Sequence, residues 1–100
     1  MKLLEVIELR TAAGNVDMVE QYLQSWIGEC RHAARVVRSY RHASLETDFS
    51  VHLTRERGST ATGPSVEGRQ LAGLLKDFGL VNHSVWVEQN VGEYSAREGA

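Results

Sequence analysis

Phe49-Ser50-Val51-His52-Leu53-Thr54 is the stretch that decides the fold, because apolar and polar residues alternate along it without a break. A period of two residues is typical of a β-strand that turns one face to the core and the other away from it. Phe49, Val51 and Leu53 are therefore predicted to be buried. His52 is predicted to lie on the opposite face of the sheet.

The segments before this strand predict two further strands and a helix. Residues 2–11 mix β-formers with charged residues and stop at Ala12-Ala13-Gly14, which predicts a first strand closed by a turn. Apolar residues then recur at three- and four-residue steps as far as Cys30, which is the pattern of an amphipathic helix. Residues 36–45 predict the second strand.

The segments after it predict a loop, a second helix and a last strand. Residues 57–64 are rich in glycine and small polar residues, which predicts a mobile loop. Ser65 is expected to cap the second helix, and Gly79 is expected to end it in the left-handed conformation. Residues 81–89 predict the last strand. The apolar stripe of the second helix consists of Leu71, Leu74, Leu75 and Phe78.

The order β-α-β-β-α-β predicts an α+β, ferredoxin-like fold with a four-stranded antiparallel sheet and two helices on one face. Residues 1–90 are expected to form this single domain, and residues 91–100 are expected to be a flexible tail. The other sheet face is too apolar to remain in water, which predicts a homodimer assembled through that face. It is expected to carry Leu4, Val6, Ser50, His52, Thr54, Ser84 and Trp86.

The composition excludes several classes of protein. With 42% hydrophobic and 24% charged residues the chain is globular, and its net charge of −2 gives no attraction to nucleic acid. No stretch approaches about 20 apolar residues, so no membrane span is expected. Cys30 is the only cysteine, which excludes an intrachain disulfide and suits a reducing compartment, so the protein is expected to be cytoplasmic.

The chain resembles the dimeric α+β barrel superfamily, and in particular small proteins similar to antibiotic-biosynthesis monooxygenases. The resemblance covers residues 2–89 and rests on the element order and two stretches, Arg10-Thr11-Ala12-Ala13-Gly14 and Phe78-Gly79-Leu80-Val81-Asn82-His83-Ser84-Val85-Trp86. It implies a dimer whose two sheets form a barrel with the helices outside. The superfamily includes cofactor-independent monooxygenases, isomerases and haem-degrading enzymes. In place of the Pro-Gly frequent at the first turn, this chain has Ala13-Gly14.

Haem degradation does not follow from this resemblance. The haem-degrading branch has an asparagine on the first strand, a tryptophan on the third and a histidine on the second helix. Here the first strand has no asparagine, Phe49 is the aromatic residue of the third strand, and residues 66–78 contain no histidine. No cofactor is therefore expected.

His52 and Trp86 are the first candidates for a catalytic role, because both are predicted on the uncovered sheet face. Glu88 is expected nearby, with Tyr40 or His42 contributed by the second strand. A histidine beside an aromatic ring and a carboxylate could orient and deprotonate a phenolic or enolic substrate. The alternative is that Trp86 packs in the dimer interface and His52 is a hydrogen-bonded polar residue there.

Glu5 is the third catalytic candidate, and His83 is a further ligand-binding candidate. If Leu3 and Ile7 face the helices, Glu5 faces them too, as a half-buried carboxylate. His83 is two residues before Val85 on the last predicted strand, so both side chains lie on the same sheet face. His83 is therefore expected to approach the space between the sheet and the helices, as Glu5 does. The alternative is that Glu5 meets an arginine or water near the rim of the sheet.

Two functions remain open from the sequence. The first is a module that binds a small, largely apolar or aromatic molecule, or oxidises or isomerises it without a cofactor, in a pocket under the helices or inside the dimer barrel. The second is a non-catalytic structural or regulatory dimer. His42, His52 and His83 form no HxH or HxxxH pair, so no metal site is expected.

Overall fold

The computed structural model describes residues 2–29, 36–56 and 62–92. Within them, a short 3-10 turn (Ala13–Asn15) joins the first strand to the first helix. Cys30, residues 57–61 of the predicted loop and residues 93–100 of the predicted tail lie outside the described residues. The strands and helices described are β1 (Lys2–Thr11), α1 (Val16–Glu29), β2 (Val36–Arg41), β3 (Asp48–Glu56), α2 (Val66–Leu75) and β4 (Gly79–Val87).

The strands form one antiparallel sheet in the order β2-β3-β1-β4. The central strand β1 pairs with β3 from Lys2–Glu56 to Arg10–Asp48 and with β4 from Leu3–Val87 to Thr11–Gly79. The edge strand β2 pairs with β3 alone. This order and the two helices confirm the predicted ferredoxin-like α+β fold.

The core lies between the sheet and the helices. Phe49, Val51 and Leu53 are buried, which confirms the faces predicted for the central stretch. Leu74 is 41% exposed, so the predicted stripe of α2 is wrong at this position. The helix meets the sheet through Leu71, Ala72 and Leu75, and a residue one position before Leu75 is turned about 100° away from that line of contact.

Two predicted strand boundaries are corrected. The second strand ends at Arg41 rather than at residue 45, because the Nδ1 atom of His42 accepts hydrogen bonds from the backbone nitrogens of Ser44 and Leu45, both at 3.0 Å. These bonds fold the chain into a turn immediately after β2. The last strand covers Gly79–Val87 rather than residues 81–89, so it begins and ends two residues earlier.

Gly79 does not end α2 in the left-handed conformation, because no glycine in the described ranges has a positive φ. It is instead the first residue of β4, opposite Thr11. A Cβ atom added at Gly79 would lie 2.0 Å from the backbone oxygen of Arg10. Glycine is therefore needed here for the close approach of two backbones.

The two helices of the described residues are too short or too polar to cross a membrane.

Candidate functional site

The sheet face away from the helices, called here the outer sheet face, carries most of the chemistry predicted from the sequence. Four of its large apolar side chains are exposed, with fractions of 76% for Leu80, 61% for Trp86, 47% for Tyr40 and 40% for Val36. Contiguous exposed apolar side chains are a general feature of protein–protein and ligand-binding surfaces. By strand register the face consists of Leu4, Val6, Glu8, Arg10, Val36, Arg38, Tyr40, Asp48, Ser50, His52, Thr54, Leu80, Asn82, Ser84 and Trp86.

A hollow of about 370 Å³, called here the sheet-face hollow, occupies one end of this face. Two of its charged groups are paired, since Arg10 donates to both carboxylate oxygens of Asp48 at 3.1 and 3.0 Å. The guanidinium group of Arg10 holds the pKa of the Asp48 carboxyl below its usual range, mainly through this hydrogen bond. The hollow is lined by Glu8, Leu9, Arg10, Tyr40, Arg41, His42, Asp48, Phe49, Ser50, Leu80, Val81 and Asn82.

His52 lies beside this hollow. Its Nε2 atom is 3.0 Å from the hydroxyl oxygen of Ser50, and its ring centroid is 4.8 Å from that of Tyr40 at a tilt of 51°. Arg38 is its partner across β2 and β3. The ring is thus oriented by one hydrogen bond and one aromatic contact. A general base needs such a fixed orientation, but a histidine that only packs in an interface can have the same contacts.

Trp86 is on the same face as His52, as predicted, but the structure does not bring the two together. Strand β1 runs between β3 and β4, so Leu4 and Val6 separate the tryptophan from the histidine. The indole Nε1 atom donates instead to the Ser84 hydroxyl at 2.9 Å.

Trp86 shares a second, smaller depression with Glu88, at the opposite end of the outer sheet face. This depression measures about 280 Å³ and includes Leu4 and Thr54 in its lining. Glu88 follows β4, and its backbone nitrogen donates to the Lys2 oxygen at 2.8 Å. The three ligand-binding candidates expected on this face thus divide into two groups: Tyr40 and His42 line the sheet-face hollow, and Glu88 lines the depression around Trp86.

Glu5 and His83 meet under the helices, on the opposite side of the sheet. Glu5 is completely buried, and His83 keeps 17% of its side chain exposed. The carboxylate accepts hydrogen bonds from the Ser65 hydroxyl at 2.7 Å and from the Ser65 backbone nitrogen at 3.2 Å, while Nε2 of His83 lies 2.5 Å from Oε2. The partners of Glu5 are therefore a histidine and the cap of α2, rather than an arginine or water at the rim.

These contacts explain how a carboxylate is accommodated in the core. A buried charge is costly unless hydrogen bonds replace its water, and Glu5 has three donor groups around it. Ser65 is also the N-cap of α2, with its side chain accepting from the Gly68 nitrogen at 3.0 Å, so the carboxylate faces the positive end of that helix. Serine as a cap was predictable, whereas its second partner 60 residues away was not.

Gly68 is a site residue that sequence reasoning missed. A Cβ atom at this position would lie 1.8 Å from Oε2 of Glu5. Only a glycine lets the first turn of α2 rest directly on the carboxylate. Its sole signal in the sequence is a glycine inside a helical pattern, which has several possible causes.

No group of three or more histidine, cysteine, aspartate or glutamate side chains in the described residues is arranged to hold a metal ion.

Comparison with known proteins identifies the fold. No family model and no curated protein matches the sequence. Among solved structures, Rv0793 from Mycobacterium tuberculosis aligns with a TM-score of 0.68 at 10% identity, over 93% of this chain and 100% of that one. An antibiotic biosynthesis monooxygenase aligns with a TM-score of 0.61 at 11% identity, over 90% and 99% of the two chains. The chain therefore has the ferredoxin-like fold of the antibiotic biosynthesis monooxygenases.

Proposed function

We propose that this chain forms a homodimer through the outer sheet face and binds a small, largely apolar or aromatic molecule in the sheet-face hollow. The observation that carries the proposal is the exposure of Val36, Tyr40, Leu80 and Trp86 on one face, one end of which holds a hollow of about 370 Å³. That volume lies within the range of small-molecule sites. A second copy placed over the face would cover the apolar side chains and close the hollow.

The lining of the hollow supports an uncharged or weakly polar ligand. Arg10 is neutralised by Asp48, and Glu8 accepts a hydrogen bond from the Asn82 side chain at 3.3 Å. Tyr40 and Leu80 then supply the exposed apolar surface. An aromatic ligand is favoured, because the tyrosine ring offers a face for stacking.

Dimer formation is tested with a matched pair of serine substitutions. Leu80 on the outer sheet face and Val66 on α2 are almost equally exposed, at 76% and 74%. Leu80→Ser should weaken the dimer at least about tenfold, because it removes apolar surface from the interface. Val66→Ser should leave the dimer unchanged. Sedimentation equilibrium measures both, and a wild-type chain that stays monomeric at tens of micromolar would refute the proposal.

Trp86→Ala gives a second measure of the same interface. Truncation of an aromatic residue in an interface core costs about 2–4 kcal/mol of binding free energy. The dimer dissociation constant should therefore rise by a factor of at least about 30. An unchanged constant would place the interface elsewhere.

Ligand binding is tested by native mass spectrometry of the purified dimer, followed by titration with phenol and with 4-ethylphenol as probes. Tyr40→Ala should reduce the affinity for either phenol, since it removes the ring that lines the hollow. Val66→Ala, at an exposed position on α2 away from the outer sheet face, is the control and should leave the affinity unchanged. Equal losses in the two variants would show that the phenols do not occupy the hollow.

Proton removal from a phenol or enol is the chemistry that His52 supports at this site. Such a step begins an isomerisation, or an oxidation by dioxygen without a cofactor. His52→Gln should leave the dimer intact and change the unfolding free energy by about 1 kcal/mol or less. Phenol binding should then weaken, because the group that accepts the phenolic proton is lost.

A non-catalytic dimer is the second candidate, and a specific observation favours it. His52 already has a hydrogen-bond partner in Ser50 and a ring contact with Tyr40, so it can serve entirely as a packed interface residue. In that case the His52→Gln dimer should bind phenols with the same affinity as wild type.

A further inference from the structure

A groove between the two helices, on the side of the molecule away from the outer sheet face, presents a different kind of chemistry. It has a volume of about 330 Å³. One wall is a face of α1 and the other is a face of α2, with side chains at helical spacings on both. The groove is lined by Tyr22, Trp26, Glu29, Glu67, Gln70 and Leu74.

The topology places both carboxylates at one end of this groove. Helix α1 follows the last residue of β1 and runs back along that strand towards its first residue. Helix α2 follows the last residue of β3, and this end of β3 is paired with the first residues of β1. The two helices are therefore antiparallel. Glu29 in the last turn of α1 and Glu67 in the first turn of α2 lie at the same end, and Leu74 lies towards the other.

The groove carries negative charge without compensation from its own lining. None of its six lining residues is a lysine, arginine or histidine. Glu29 and Glu67 take part in no ion pair with any residue in the described ranges. Burial and the charge of Glu29 raise the pKa of Tyr22, so its hydroxyl stays protonated beside the groove.

Two of the four remaining lining residues are aromatic. Trp26 and Tyr22 are one helical turn apart on α1, and both are half-buried. The Tyr22 ring is held against Phe78, with 6.1 Å between centroids. Aromatic faces attract organic cations through their quadrupoles, tryptophan most strongly.

We propose that this groove binds a small organic ammonium ion with an apolar body. The ammonium group lies between Glu29 and Glu67, and the apolar body lies along Trp26 and Tyr22. Charge complementarity selects the cation, and the aromatic wall selects an organic cation over a metal ion. The site is independent of the proposed dimer, because it is on the helix side of the sheet.

The probe for this proposal is 2-phenylethylammonium at pH 7, with 2-phenylethanol as its uncharged counterpart of similar shape. Binding is followed by the fluorescence of Trp26 in a Trp86→Phe background, where it is the only remaining tryptophan. Chemical shifts of the backbone amides locate the ligand independently. We expect saturable binding of the ammonium ion and at least about tenfold weaker binding of the alcohol, given the usual strength of cation–π and exposed charge pairs.

Matched variants test the role of the carboxylates. Glu67→Gln should weaken binding of the ammonium ion by about three- to tenfold, whereas Glu46→Gln, at an exposed glutamate in the turn before β3, should have no effect. Both substitutions are at exposed or half-exposed positions and preserve size, so the fold is retained. Equal binding of the alcohol, unchanged affinity in Glu67→Gln, or amide shifts confined to the outer sheet face would each overturn the proposal.

Discussion

The contact between α2 and the buried carboxylate gives a sharp prediction for Gly68→Ala. In an exposed part of a helix this change would stabilise the protein by about 1 kcal/mol, because alanine is the better helix former. Here the new methyl group would lie 1.8 Å from Oε2 of Glu5, inside the contact distance of any two atoms. Either the helix must lift or the carboxylate must leave its partners.

Both responses are costly. Overpacking a core position costs about 1–3 kcal/mol, and each hydrogen bond to a charged group that is lost costs about 1.5–3 kcal/mol. After subtraction of the gain in helix propensity, Gly68→Ala should destabilise the protein by about 2–4 kcal/mol. For a domain of this size that corresponds to a fall in melting temperature of roughly 10–25 °C.

Gly73→Ala is the matched control, because Gly73 lies in the same helix and a Cβ atom there would have nothing within 4 Å. It should stabilise the protein by about 0.5–1 kcal/mol. Urea unfolding followed by circular dichroism, at one protein concentration for all variants, measures both changes. In a Glu5→Ala background the penalty of Gly68→Ala should disappear. If Gly68→Ala stabilises the wild-type protein as much as Gly73→Ala does, the carboxylate does not lie under α2.

Three further predictions concern other contacts. Gly79→Ala should destabilise the protein by about 2–4 kcal/mol, because the new Cβ atom would meet the fixed backbone oxygen of Arg10. Gly14→Ala is the control, since a Cβ atom there has open space around it, and it should change stability by at most about 1 kcal/mol in the same urea assay. Ser65→Ala should cost about 1–2 kcal/mol by thermal unfolding, since it removes the cap of α2 and a donor to the buried carboxylate; an unchanged melting temperature would contradict this. The lowered pKa of Asp48 predicts that its ionised form stabilises the fold above the ordinary aspartate value of 3.8 and that this contribution is lost as the pH falls through the lower folded-state pKa. Arg10→Gln should move the Asp48 titration upward in an NMR pH series, and no movement would show that the pair is not formed in solution.

The alternation of apolar residues was sufficient to predict which face of the sheet is buried. Successive side chains of a strand point to opposite faces of the sheet. Because Val51 is buried, His52 must lie on the other face, whatever the neighbouring strands are. The end of the second strand was not predictable in this way. It depends on a hydrogen bond from the backbone nitrogen of Ser44 to the ring of His42. The residue pattern that predicts a strand does not change at these two positions, so it does not reveal the turn.

Neighbours across the sheet were predictable only when the strands were adjacent. Glu5 and His83 were expected to approach the same space, and they meet because β1 and β4 are paired directly. His52 and Trp86 were expected to act together on one face, yet β1 lies between their strands. The alternation along a strand determines the sheet face on which a residue lies. The order of the strands in the sheet determines how far that residue is from another residue on the same face.

The distribution of polar groups indicates where ligands can bind. Glu5 is the buried carboxylate that first suggested chemistry under the helices, but Ser65, His83 and the backbone at Gly68 surround it so closely that no substrate has room beside it. Groups saturated in this way stabilise one arrangement of the core and leave little capacity for a ligand. The two surfaces proposed to bind ligands are the outer sheet face and the groove between the helices, whose side chains are not enclosed in this way. The first carries exposed apolar side chains and the Arg10–Asp48 ion pair, and the second is acidic and aromatic, so the two should select ligands of different charge.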